Sequence, residues 1–227
     1  KALQTVGKTR ADVTGRMTIV NTVPIGSGMG ASAALCVALG RWFLWKAWID
    51  RTQLFGFAKK LEDLFHGESS GVDIAVILQD GPIHYERQGQ VYPLSSRWLP
   101  LCYLSHCGER GVTADCVQTV SMFREKFLVE AERLDQQMAK AVSLAEVALT
   151  QKERAEGIEL LRESMDLGFD CFLRWGLITP QLEEHMNNLR RLGAIAVKPT
   201  GSGKGGFVLS LWAQPPAGAV SFEMISV

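Results

Sequence analysis

The sequence predicts an α+β fold divided into two modest domains. Three observations carry that expectation. The chain has 227 residues, long for one ordinary domain and short for two large ones. Its first half is rich in short apolar runs and glycines, and its second half is dominated by helical periodicity before strands return near the end. The division falls near residues 105–110, which gives domains of 1–107 and 108–227.

Taken in order, residues 13–23 (Val13, Met17, Ile19, Val20, Val23) read as a strand, and Ala31 to about Trp48 as a buried helix. A second helix from Arg51 to about Phe65 places Leu54, Phe57, Ala58, Leu61 and Phe65 at helical spacing and ends at His66-Gly67. Short strands are expected at 74–78, 82–86, 90–93 and 99–105. One broken helical stripe (Val117, Val120, Phe127, Leu134, Met138, Val142) covers 113–150, and another helix covers 152–175. Thr179-Pro180 has the chemistry of a cap followed by a first helical residue, opening a helix that stops at Gly193. Strands at 194–197, 207–212 and 220–227 complete the reading.

Composition narrows the function. A hydrophobic content of 47% supports a sizeable core, and 24 basic against 24 acidic side chains give no bulk electrostatic reason to expect nucleic acid or a membrane surface as partner. No apolar stretch reaches the roughly 20 residues of a membrane span, and Lys1-Ala2-Leu3-Gln4 does not open a signal peptide, so a soluble cytoplasmic protein is expected. Cys36, Cys102, Cys107, Cys116 and Cys171 are scattered and odd in number, as reduced thiols would be, with Cys36 in an apolar helical run. His66, His84, His106 and His185 lack zinc-ligand spacing.

The chemistry concentrates in three clusters. The first is Pro24-Ile25-Gly26-Ser27-Gly28-Met29-Gly30-Ala31-Ser32-Ala33-Ala34, where closely spaced glycines let backbone N–H groups approach an anion and the following helix directs its positive end at the same place. Three readings stay open for it: a glycine-rich turn before a core helix, a dinucleotide fingerprint, and a nucleotide-phosphate loop with Ser32 available to a metal ion. Pro24 in the approach, and a helix where a second strand should follow, count against the dinucleotide. The second cluster, Lys198-Pro199-Thr200-Gly201-Ser202-Gly203-Lys204-Gly205-Gly206, contains Gly203-Lys204 but lacks the other Walker A positions and lies between two strands. It reads either as a flexible hairpin or as a connection that brings backbone N–H groups close to a ligand or to the first glycine loop. The third is Glu62 with His66-Gly67-Glu68-Ser69-Ser70-Gly71-Val72-Asp73. Two carboxylates there suit magnesium binding and proton acceptance. Glu62 beside Asp63 and Lys60 equally suits a solvated helix face, and Asp73 a turn-capping role.

In this order the three clusters resemble the GHMP kinase superfamily. Pro24 to Ala34 is similar to the family's P-x-G-x-G-L-G-S-S-A-A loop, with Met29 for Leu and Ala31 for the first Ser. Lys198 to Gly206 is similar to its K-x-T-G-A-G-x-G-G loop, with Ser202 for Ala. His66 to Asp73 is most similar to the H-G-x-P-S-G-x-D stretch of mevalonate kinases, with Ser69 for Pro.

The resemblance implies a first domain with a left-handed crossover, a ferredoxin-like second domain, and ATP with magnesium in a cleft between them. It implies transfer of the γ-phosphate of ATP to a substrate hydroxyl, with mevalonate as first acceptor and phosphomevalonate or a sugar as alternatives. A non-catalytic nucleotide-binding relative is the other class left open. By carry-over, Pro24, Gly26, Ser27, Gly28, Met29, Gly30, Ala31 and Ser32 would cradle ATP phosphates, Ser32 and Glu62 would hold magnesium, and Asp73 would be the base. Ser70, Gly71, Thr113, Thr200, Gly201 and Ser202 would lie along the small-molecule alcohol. A homodimer is the assembly left open. The family's opening P-G-K-like segment, whose lysine contacts the phosphates and the catalytic aspartate, has no counterpart before Pro24. Lys1 and Lys8 lie in other contexts, so either the start of the first domain is missing from this chain, which is the expectation, or the lysine has been lost.

Overall fold

The computed structural model describes residues 1–23, 29–79, 81–86, 90–216 and 222–227. The chain packs as two units; among the described residues the first comprises residues 1–23 and Gly30–Leu94, and the second Met29 with Ser95–Val227.

In the first unit, α1 (Ala31–Trp45) and α2 (Leu54–His66) lie against each other, and α3 (Val72–Gln79) closes the group. Burial on α1 follows helical spacing, at Ala33, Cys36, Val37, Gly40 and Phe43. These meet Leu54, Phe57, Ala58, Leu61 and Ile74 in one core. The fit is close: a methyl at Gly40 would stand 2.6 Å from Leu54 Cδ1, and the Phe43 and Phe57 rings are 4.7 Å apart. Asp50 fixes the entry to α2, accepting the Gln53 N–H at 3.0 Å while the Gln53 side chain accepts the Asp50 N–H at 2.9 Å. A hairpin of β1 (Ile83–Glu86) and β2 (Gln90–Pro93) follows, at the two places the sequence marks. The crossover implied by the resemblance needs further strands, and among the described residues this unit has only that hairpin.

Three expectations change here. Residues 13–23 form no strand: among the described residues none pairs with them, and Met17, Ile19 and Val20 are exposed. Alternation gives a segment a face, but a strand also needs a ladder partner. Residues 74–78 are helical, inside α3. Ile74 and Ala75 are buried with Ile77 and Leu78 packed beside them, while Val72 and Val76 point outward, a 3.6-residue period hidden in a short β-branched run. Phe65, placed in the apolar stripe of α2, is 61% exposed at the end of that helix.

The second unit is built on an antiparallel sheet of β3 (Leu101–His106), β4 (Ala196–Pro199), β5 (Phe207–Trp212) and β6 (Ile225–Ser226), in the order β4-β5-β3-β6. Counted within the unit this is 4-1-3-2 read from the other edge, the order of a ferredoxin-like sheet. The strand β3 precedes residue 107 yet hydrogen-bonds to β5 and β6. Four helices lie between β3 and β4: α4 (Thr113–Lys126), α5 (Leu128–Thr150), α6 (Arg154–Arg174) and α7 (Pro180–Arg191). The stripe expected over 113–150 is interrupted at Phe127, which leaves the helical region at φ −131°. Thr179 caps α7, accepting the Leu182 N–H at 3.2 Å and donating to Glu109 Oε2 at 2.7 Å.

Period-2 patterning separates the two sides of the sheet. Val197, Val208 and Trp212 pack with Leu182, Met186 and Leu189 of α7. Ala196 and Leu211 pack with Ala148, Leu161 and Met165 of α5 and α6. Among the described residues no helix is long and apolar enough to cross a membrane.

Candidate functional site

Pro24, Gly26, Ser27 and Gly28 lie outside the described residues; Met29, Gly30, Ala31 and Ser32 are described. Gly30 is the N-cap of α1 at φ 69°, a left-handed conformation that glycine adopts without a Cβ penalty. Its carbonyl accepts the Ala34 N–H at 2.9 Å, which starts the helical ladder. The amides before Ala34 have no acceptor within the helix, so the α1 N-terminus is an anion-facing end.

Asp73 stands in the first turn of α3. A methyl placed on Gly30 would lie 3.7 Å from Asp73 Cγ and 3.8 Å from Oδ2. The carboxylate and the α1 N-terminus are therefore immediate neighbours, although 43 positions separate them in the sequence (73 − 30).

Ser32 is half-buried at the second position of α1. Cys36, one turn later on the same face, is fully buried, and its thiol is pushed up to about 11, first by that burial and then by the Glu62 carboxylate. Glu62 is 4% exposed whereas Lys60 is exposed, which excludes the solvated-face alternative for Glu62. A hydroxyl and a carboxylate are hard oxygen donors, and magnesium carried by phosphates takes only one or two protein ligands of this kind. Among the described residues no three or more His, Cys, Asp or Glu side chains form an all-protein metal cage. Ser32 and Glu62 have the donor chemistry for an ion that arrives with a phosphate-bearing ligand.

Ser70 and Gly71 form the turn that leads into α3. The Ser70 hydroxyl accepts the Val72 N–H at 3.3 Å, and the Ser70 carbonyl accepts the Tyr85 hydroxyl at 2.6 Å.

In the second unit the glycine-rich connection of β4 and β5 docks on the start of α4. Ser202 Oγ is 3.4 Å from Thr113 Oγ1, the hydroxyl of the first residue of α4. The Cys116 thiol points to the Gly203 carbonyl at 3.5 Å. Thr200 is turned elsewhere: its N–H and its hydroxyl both donate to the Phe207 carbonyl, at 2.9 and 3.1 Å, closing the hairpin. Gly201 lies between these two contacts. Lys204, the residue that mimics a Walker lysine, donates from Nζ to Thr119 Oγ1 at 2.5 Å and from its N–H to the Leu177 carbonyl at 2.7 Å. Lys198 lies on the α6 side of the sheet, its Nζ bonded to the Pro199 carbonyl at 3.1 Å and 5.8 Å from the Phe172 ring centre; burial lowers its pKa.

The structure thus sets the Asp73 carboxylate beside Gly30 in the first unit, which also holds Ser32 and Glu62, and Ser202 beside Thr113 in the second. Sequence reasoning missed what holds the second group. Gly111 passes so close to the loop that a methyl on it would stand 2.2 Å from the Gly203 carbonyl oxygen. The only legible signal was a glycine two residues before Thr113.

Comparison with known proteins agrees with this layout. Residues 1–81 match the GHMP kinases N terminal domain and residues 145–222 the GHMP kinases C terminal domain. A mevalonate kinase of Thermococcus gammatolerans is 32% identical over 209 residues, covering 88% of this chain and 61% of the relative. One from Pyrococcus horikoshii is 30% identical over 200 residues, covering 86% and 58%. A crystal structure of L. major mevalonate kinase in complex with R-mevalonate superimposes with a TM-score of 0.69 at 25% identity, over 82% of this chain and 57% of that one. The chain spans about three fifths of the length of the curated relatives it matches. With N- and C-terminal domain matches in the family's order along the sequence, the chain belongs to the GHMP kinase family.

Proposed function

We propose that this chain carries out ATP-dependent phosphorylation of a small-molecule alcohol, with mevalonate as acceptor and 5-phosphomevalonate as product, a step of isoprenoid precursor synthesis. The observation that carries the reading is the Asp73 carboxylate beside the Gly30 N-cap of α1. A proton acceptor next to an anion-facing helix end is what transfer from a polyphosphate to a hydroxyl calls for. The names of the relatives at 30 to 32% identity support mevalonate as the acceptor.

In this reading the backbone N–H groups at the start of α1 hold the phosphate chain, and the dipole of a 15-residue helix adds to their field. Pro24, Gly26, Ser27 and Gly28 are assigned to the same cradle. Asp73 takes the proton of the accepting hydroxyl and, as a first-turn residue of α3, has a fixed position from which to do so. Ser32 and Glu62 would hold magnesium, which when bound would neutralise phosphate charge. By the family resemblance Ser70, Gly71, Thr113, Gly201 and Ser202 are assigned to the acceptor, while the Thr200 hydroxyl is engaged in closing its hairpin. We place the reaction in the cytoplasm, where ATP is supplied, and a homodimer is the assembly to be checked by light scattering.

A coupled ADP-release assay with magnesium, run over mevalonate, phosphomevalonate, homoserine and galactose, tests the reading. Turnover with mevalonate well above the other three supports it. Turnover with another acceptor moves the substrate within the family, and none with any acceptor, despite thermal protection by ATP, identifies a nucleotide-binding relative without catalysis.

A further inference from the structure

At position 69 the segment resembles a family pattern that has proline, and this chain has serine. Proline stiffens a turn by fixing φ, and has no N–H to donate. Here the Ser69 N–H donates to Asp63 Oδ1 at 2.7 Å and the Ser69 hydroxyl donates to the same oxygen at 2.8 Å. Neither bond is available to proline. Asp63 lies in the last turn of α2, where Lys59 approaches Oδ1 at 3.3 Å and Oδ2 at 3.1 Å.

The same turn is held from the other side. The Tyr85 hydroxyl, on β1, donates to the Ser70 carbonyl at 2.6 Å and lies 2.9 Å from where a Gly71 Cβ would stand, with the Lys59 Cδ 3.7 Å from that point. Two residues further on is Asp73. The backbone that carries Asp73 is thus fixed to α2 through Asp63 and to the β1–β2 hairpin through Tyr85, while Gly30 borders its carboxylate.

We infer that Asp63 is a positioning residue: the two hydrogen bonds it accepts from Ser69, backed by Lys59, replace the stiffness of a proline and set the place of the Asp73 carboxylate. The inference rests on Asp73 being the base in the proposed reaction. Both bonds fall on one oxygen of Asp63, so an amide can still accept them, whereas alanine cannot. That separates the clamp from bulk stability.

The test uses the full chain as wild type, Asp63→Ala, Asp63→Asn and Ser69→Ala. In Asp63→Ala, amide hydrogen exchange across residues 67–73 should quicken at least tenfold while exchange in the α1 core stays unchanged. The value of kcat should fall by about tenfold to a hundredfold with little change in the KM for ATP, the effect of a misplaced reacting group. Asp63→Asn should restore most of both, and Ser69→Ala, which keeps the backbone bond, should fall between. Unchanged exchange at 67–73 in Asp63→Ala overturns the clamp, and so does an equal loss of kcat in the alanine and asparagine variants. The exchange measurement needs no turnover, so a wild-type chain that phosphorylates nothing removes the kinase reading and the positioning role, while exchange alone decides whether the clamp exists.

Discussion

Asp73 is the residue on which the chemistry turns. Replacing it with asparagine keeps the size and removes the proton acceptor, so turnover should fall by about 10²–10⁴-fold, the usual weight of a general base. Thermal protection by ATP should survive, because the phosphate-holding groups on α1 are untouched. Wild-type-like kcat in Asp73→Asn would remove this residue as base. The sequence pointed to Asp73 and Glu62 only through the resemblance, since each carboxylate on its own also suited a capping or solvated role. What it could not supply was burial. A helix with Lys60, Glu62 and Asp63 in succession looks polar, and only the packing of α2 against α1 puts Glu62 inside, near enough to Cys36 to raise its thiol. Asp63 was harder still, because the signal was a departure: serine at 69 says that proline is absent, not what replaces it.

Among the elements, legibility followed the strength of the period. α2, α6 and α7 have long apolar stripes and recognisable ends, and the sequence located them to within a few residues. The short run from Ile74 to Leu78 is too brief and too β-branched to show its period, so packing against α1 and α2 decided it. The second glycine cluster was legible as a loop between strands but not as a docked one. Its docking gives a test at Gly111, where a methyl would meet the Gly203 carbonyl at 2.2 Å, backbone against backbone. Neither side can yield without moving the loop or the start of α4. Gly111→Ala should therefore lose about 1–3 kcal/mol in urea unfolding, the usual range for overpacking, and shift Ser202 relative to Thr113, raising the KM for the acceptor. An unchanged urea midpoint together with unchanged kinetics would show that the loop is not held there.

At the scale of the whole molecule, the two units have separate cores and carry pH-sensitive groups of opposite kind. In the second unit, His185 of α7 is 8% exposed, with its Nε2 2.8 Å from the Ser105 hydroxyl and its ring 4.7 Å from that of Phe222. Burial, and then the nearby His106, hold it below the usual histidine value of 6.5. The unfolded chain therefore binds this proton more readily than the folded one. Stability falls as pH drops below 6.5 and levels off once the folded histidine also titrates. In the first unit Asp63 is shifted down from 3.8, chiefly by the Ser69 N–H, so its contribution is present above that value and is lost only as pH falls through its folded pKa. As pH falls, the histidine window opens first, at 6.5, and the aspartate window only below 3.8. Between pH 7 and pH 5, hydrogen exchange should show the helices and sheet of residues 95–227 loosening first, with α1 and α2 little affected. His185→Gln, which keeps a polar partner for Ser105 and cannot charge, should flatten that dependence in the second unit. If His185→Gln loosens with pH as steeply as wild type, the buried histidine is not the sensitive group.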